Sequence, residues 1–321
     1  MTTGILDLHV HCGPEAIPRR FDFLELARHL SEHGMAAVAK SHFHSTVPWA
    51  WMAAKAGYPT LYGSVTLNYP LGGINPDAVR ASLGLVQERE TKENLSPQKD
   101  MQGNPNGKDL PLLRIVWMPT LHAAGHIRMQ QAHGQTYDIP AEWTGGVFSK
   151  GSQLLEDITP IDIRDVRWRE PLREVLQLIA ANDITLATGH LTREEVLELV
   201  PLASSLGVKK IILTHPAYHA TSLTDEDLLQ LTALPGVFAE QSYALMPVDG
   251  LTIGEIARMI RLVGPAHTIL STDLGQIGGL TPAEGMETYL QNLRENDIPD
   301  HWLHQMSVTN PAWLLGCRLS I

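Results

Sequence analysis

Apolar and polar residues alternate along this chain in two rhythms. Short aliphatic and β-branched runs, which mark buried strands, are separated by longer stretches whose apolar residues return every three or four positions, as in amphipathic helices. The short runs are GILDLHV (4–10), MAAVAKSH (35–42), TLYGSVTL (60–67), LRIVWMPT (113–120), ITLATGH (184–190), KIILTHP (210–216), GVFAEQS (236–242) and TILSTD (268–273). Helices are predicted in FDFLELARHLSEHG, REPLREVLQLIAAND, TREEVLELVPLASSLG, TDEDLLQLTAL, TIGEIARMIRLVG and TPAEGMETYLQNLREN, with a short one in NPAWLLG. Thr192 and Thr224 stand where N-caps belong, each with an acidic residue three positions on, and Gly34, Gly207 and Gly264 stand where helices stop. Eight such strand and helix units in 321 residues predict an α/β chain folded as a (β/α)8 TIM barrel, taken as one domain over 1–321. A doubly wound open sheet is the alternative, but no glycine-rich dinucleotide fingerprint follows the first strand. Two stretches exceed ordinary connections and are taken as insertions, polar 89–111 and the longer 122–168. Within the second, GGVFSKGSQLLEDI predicts a hairpin turning at Lys150 and Gly151.

Chemistry in such a barrel belongs at the C-terminal ends of the strands, and there the apolar runs are broken. His9 and His11 lie two apart on the first strand and so share a face. Burying two unpaired rings costs free energy, and a metal ion would satisfy both. His190 ends the fifth run, His215 the sixth and Asp273 the eighth. Singly, each fits a cap on the turn that follows. Together they converge on one mouth, with a donor chemistry that suits one or two divalent transition metal ions, Zn2+ first and Mn2+ or Fe2+ after it.

An HxH on strand one, a histidine on each of strands five and six and an aspartate on strand eight resemble the amidohydrolase superfamily. The resemblance implies a metal-dependent hydrolase of amide, lactam, lactone or related ester bonds, in which His9, His11 and Asp273 hold a first ion and His190 and His215 a second. It also implies that Asp273 moves the proton between water and leaving group. Members of the superfamily commonly bridge their ions with a carboxylated lysine or a glutamate from strand four, and IVWMPTLHA offers neither. Lys40, in the apolar run of strand two, is the better candidate for a carbamate, because desolvation lowers a lysine pKa. Lys150 is its rival. Many members also carry a β-sandwich domain, and a full N-terminal one is not expected here. His42, His122, Glu240 and Tyr243 are expected to face substrate around the mouth. A lyase on the same ligands, such as a decarboxylase, is the alternative function. A catalytically silent barrel would have lost ligands that this chain keeps.

Charge and composition narrow the partners. A formal charge of −11 argues against nucleic acid, whose binding rests on basic patches. No stretch approaches a membrane span, and the opening MTTGILDLHVH lacks the features of a signal peptide. Two cysteines, Cys12 and Cys317, make no disulfide framework. These features lead us to expect a cytoplasmic protein acting on a small molecule, with neither nucleic acid nor membrane as partner and self-association into a homo-oligomer left open.

Overall fold

The computed structural model describes residues 4–84, 112–132 and 159–317. Eight strands, β1 (Leu6–His11), β2 (Ala36–Lys40), β3 (Leu61–Thr66), β4 (Leu113–Trp117), β5 (Thr185–Ala187), β6 (Ile211–Leu213), β7 (Val237–Ser242) and β8 (Thr268–Ser271), pair in parallel in that order. Between them run α1 (Phe23–Glu32), α2 (Val47–Lys55), α3 (Pro76–Leu83), α4 (Ala124–Ala132), α5 (Arg169–Ala181), α6 (Arg193–Ser205), α7 (Asp225–Thr232), α8 (Leu245–Asp249) and α9 (Ile253–Val263). After β8 come α10 (Pro282–Glu295), α11 (Asp300–His304) and α12 (Asn310–Leu315). This is the (β/α)8 barrel that the sequence predicts.

The helix starts follow from local chemistry. Asp22, Thr192, Thr224, Thr252 and Thr281 each cap a helix through a reciprocal box with an acidic residue three positions on. Helices α2 and α3 were not named from the pattern. VPWAWMAAK, in α2, has no narrow apolar stripe, and its N-cap Thr46 makes no side-chain cap. Most of both expected insertions, Lys150 included, lies outside the described residues, and the second begins with α4 instead of loop.

Leu6, Leu8, Val38, Ile115, Trp117, Ala187, Ile212, Phe238 and Ile269 pack together inside the barrel, and Leu314 and Leu315 join them from α12. Val10 and Cys12 pack instead with Leu26, Ala27 and Leu30 of the helix layer. The inward parity of β1 therefore changes along its length. The cause is in its pairing, where Asp7 opposes Ala37 but Val10 opposes Ala39, leaving one extra residue on β1. This bulge lets Leu8 fill the interior and still turns His9 and His11 inward above it.

The barrel closes between β8 and β1. His11 N donates to Leu274 O at 2.7 Å, and Asp273 N donates to His9 O at 2.8 Å. Below them the Asp7 carboxylate accepts from Thr272 Oγ1 at 2.5 Å and from Thr272 N at 3.1 Å. The same closure fixes His9, His11 and Asp273 relative to one another.

Candidate metal centre

β5, β6 and β8 stop short of their chemical residues, and a left-handed turn then aims each side chain. His215 has φ 44° and Asp273 φ 54°. Side chains other than glycine seldom adopt this region, and such strain gathers at functional sites. His190 follows Gly189, at φ 62°, where a Cβ would lie 2.4 Å from Met118 O and 2.5 Å from Pro119 O. Only glycine makes that turn without moving β4's end.

Four groups meet around Asp273. His9 Nε2 lies 3.0 Å from Asp273 Oδ1, His11 Nε2 also 3.0 Å from Oδ1, and His215 Nε2 3.3 Å from Oδ2. Lys40, at the end of β2 and 1% exposed, places Nζ 2.8 Å from His9 Nε2 and 4.6 Å from the Trp117 ring. Behind the histidines is Glu240, with Oε1 3.0 Å from His9 Nδ1 and Oε2 3.3 Å from His215 Nδ1. Burial alone would raise its pKa, but His9 and His215 hold it at about 2. Asp273 is likewise held well below its ordinary value, against burial, by His9, His11 and His215. Burial lowers the Lys40 ammonium to about 8, although Asp273 and Glu240 oppose the shift.

These contacts select proton positions. A carboxylate only accepts, so the Nδ1 of His9 that faces Glu240 carries its proton. Ser271 Oγ donates to Glu240 at 2.9 Å and so accepts from Ser242 Oγ, which in turn accepts from His215 Nδ1 at 3.1 Å, so that atom carries a proton as well. Their Nε2 lone pairs then face the Asp273 carboxylate. Electron pairs from two nitrogens and a carboxylate across about 3 Å need a proton or a cation between them. Lys40 Nζ, 2.8 Å from His9 Nε2, is one such donor, and a metal ion would serve all three groups at once. His9, His215 and Asp273 offer ligand atoms that all lie within 4.8 Å of one another. With a carboxylate behind two imidazoles, the donor set fits a divalent transition metal.

His11 is held differently. Arg19, paired with Glu15, brings Nη2 to 3.2 Å from His11 Nδ1. A guanidinium only donates, so Nδ1 accepts and His11 Nε2 carries a proton toward Asp273. In this arrangement His11 supports the carboxylate and stands apart from the three-ligand group. His190 is drawn the other way. Its Nδ1 lies 3.1 Å from His126 Nδ1, which also meets the Tyr218 hydroxyl at 2.9 Å. The expected pairing of His9 with His11 and of His190 with His215 is thus regrouped around shared partners, with His9 and His215 together on Glu240.

An open cavity lies above these groups, and His42, His126, His190, Tyr218, Arg19 and Lys40 reach its wall. His42 is oriented by Thr120 Oγ1, 2.9 Å from its Nδ1. Three residues expected at the wall sit behind it. Glu240 is fully buried beneath His9 and His215; His122 packs its ring edge-on to Tyr69, 5.7 Å away; Tyr243 packs against Tyr289 at 5.9 Å. Glu15, Arg19 and Tyr218 were not singled out from the sequence. An opposite-charge pair four apart in the loop after β1 was the available signal for the first two. Tyr218 lay close behind His215 in THPAYH.

Solved structures share the architecture. An amidohydrolase from Pseudomonas aeruginosa aligns over 98% of this chain and 95% of its own at 11% identity, with a TM-score of 0.56. N-acetyl-D-glucosamine-6-phosphate deacetylase from Mycobacterium smegmatis aligns over 99% and 79% at 14% identity, with a TM-score of 0.55. An organophosphorus hydrolase from Deinococcus radiodurans aligns over 97% and 91% at 15% identity, with a TM-score of 0.51. At these identities the likeness is one of fold. No curated protein matches the chain. Residues 4–240 match the model of a family of unknown function, DUF6282, so the chain belongs to that family and carries its match on an amidohydrolase-like barrel.

Proposed function

We propose that this protein is a metal-dependent hydrolase acting on an amide, lactam, lactone or related ester bond of a small molecule. The observation that supports this reading is the His9, His215 and Asp273 group, whose imidazoles are fixed from behind by Glu240, directly for His9 and through Ser271 and Ser242 for His215. When bound there, a divalent ion, Zn2+ first among candidates, would polarise the carbonyl oxygen and acidify water. The protein's own residues supply the remainder. Asp273 is an ionised carboxylate at the cavity floor, placed to accept a proton from attacking water and pass it to the leaving group. His11, pinned by Arg19, keeps that carboxylate in place. His42 presents an imidazole edge to the oxygen on which charge develops. Lys40 is buried and its pKa is lowered by burial to about 8, so as a carbamate it would, together with His190, offer ligand atoms to a second ion. The proposal keeps the small molecule as partner and the cytoplasm as the site of action.

The test is metal analysis of protein grown with supplemented zinc or manganese, followed by a screen of amides, lactones, esters and carboxylated aromatics. One to two equivalents of ion and turnover of a carbonyl substrate are expected. Protein that stays metal-free overturns the proposal, and decarboxylation without hydrolysis replaces it with a lyase.

A further inference from the structure

The cavity mouth is not uniform around its rim. In a closed barrel of this strand order, β8 and β1 stand opposite β4 and β5. The arc from β7 to β1 contributes Ala244, Leu245 and Val248 after β7 and Ile17 after β1. The facing arc contributes His126 after β4, His190 after β5 and Tyr218 after β6. Leu121 is an apolar member of the polar arc, which also holds Gln130; on the other arc Gln276 is polar, while His11 at the end of β1 and Asp273 after β8 belong to the floor beneath it. Arg19 also reaches the wall beside Ile17, but its guanidinium is engaged by Glu15 and by His11, and its side chain is 4% exposed. Its charge is therefore neutralised within the protein.

We propose that this asymmetry selects the substrate: a neutral amide, ester or lactone whose apolar acyl arm, aliphatic or aromatic, lies on Ile17, Leu245 and Val248. Its hydrogen-bonding half then faces His126, His190 and Tyr218. The inference rests on the hydrolase reading, since it places the scissile carbonyl over Asp273 between the two arcs. An acyl arm ending in a carboxylate is disfavoured, because among the described residues Arg19 beside that wall is already engaged by Glu15 and His11, and Lys40 lies at the floor against His9 and Trp117, leaving the desolvated charge uncompensated on the aliphatic side.

Two series read the subsite separately from the chemistry. Primary carboxamides from acetamide to hexanamide, with adipamic acid as the ω-carboxylate control, are titrated by ligand-observed NMR. Esters of one alcohol carrying the same acyl groups are followed by turnover on zinc-loaded protein. Each methylene that finds the wall should tighten binding and raise kcat/KM by roughly three- to fourfold, the factor for burial of a CH2. Val248→Asp should flatten both gradients, and Val248→Ala should make them shallower if the aspartate variant does not fold. Flat gradients in the wild type overturn the inference, and so does tighter binding of adipamic acid, which would make Arg19 an anion anchor. A binding gradient without turnover of any ester leaves the apolar subsite standing and removes the hydrolase reading. Turnover without a gradient does the reverse.

Discussion

His9 and His215 lean on a carboxylate, whereas His190 leans on another imidazole. Glu240 stays ionised and can only accept, so it fixes the tautomer of His9 directly and that of His215 through Ser271 and Ser242, turning both Nε2 lone pairs toward Asp273, with Lys40 Nζ also at His9 Nε2. His126 is neutral, with burial pushing its pKa down to about 3, and its Nδ1 meets both His190 Nδ1 and the Tyr218 hydroxyl. A neutral imidazole can donate or accept at that atom, so the proton in this contact has two places to sit. One side of the centre is built to present lone pairs without alternatives; the other keeps a choice.

The comparison breaks most severely at the shared target of the carboxylate-held side. Asp273→Asn keeps the shape and one coordinating oxygen but cannot accept a proton, so turnover should fall by ~10² or more while metal is retained. Equal turnover by the metal-bearing variant in steady-state assays would move the base elsewhere. Glu240→Gln tests the clamp itself. Losing the carboxylate behind two ligands should weaken zinc binding by about 10–100-fold, measured by competition with a chromophoric chelator.

Lys40, hydrogen-bonded to His9 on the same side, gives a pH signature in metal-free protein. Its pKa is about 8 in the fold against an ordinary 10.5. Between those values the unfolded chain holds a proton that the folded chain has released, so unfolding free energy rises with pH across that window and this contribution is flat below it. The slope is at most ~1.4 kcal/mol per pH unit for one group. Lys40→Met should abolish it in denaturant titrations at pH 7.5 to 10.

The smallest effect belongs to the imidazole-held side. His126→Ala should leave the affinity of the His9, His215 and Asp273 group unchanged while lowering kcat/KM by about 10-fold, the order of one hydrogen bond to a charged or reacting group. His126→Asn, which restores an acceptor near Nδ1, should recover part of it. A loss of zinc affinity equal to that of Glu240→Gln would erase the distinction between the two sides.

Much of the barrel was legible in the chain because strands buried on both faces announce themselves as apolar runs, and helices with threonine capping boxes announce their first turn. Each of the eight runs falls on an observed strand, β1 reaching one residue past its run to His11, although β5 and β6 keep only Thr185–Ala187 and Ile211–Leu213. The turns that follow them, at Gly189 and His215, are where the hydrogen-bonded ladder gives way to left-handed backbone. Alternation along the sequence marks a face but not a depth. Glu240 therefore looked like a wall residue, while inward position on β7 in fact placed it under His9 and His215. A partner such as His126 acts through a residue distant in sequence, His190, and no local pattern encodes that contact.

The bulge in β1 has a consequence for how this chain can change. Deleting one residue between Asp7 and Val10 would restore regular pairing with β2, yet a single parity would then govern the whole strand. Either Leu6 and Leu8 would leave the interior, or His9 and His11 would leave the mouth. Length in this short segment is therefore under tighter constraint than side-chain identity: Leu8→Met or Val10→Ile conserves the layout, whereas an indel forces a trade between a filled barrel and a working mouth.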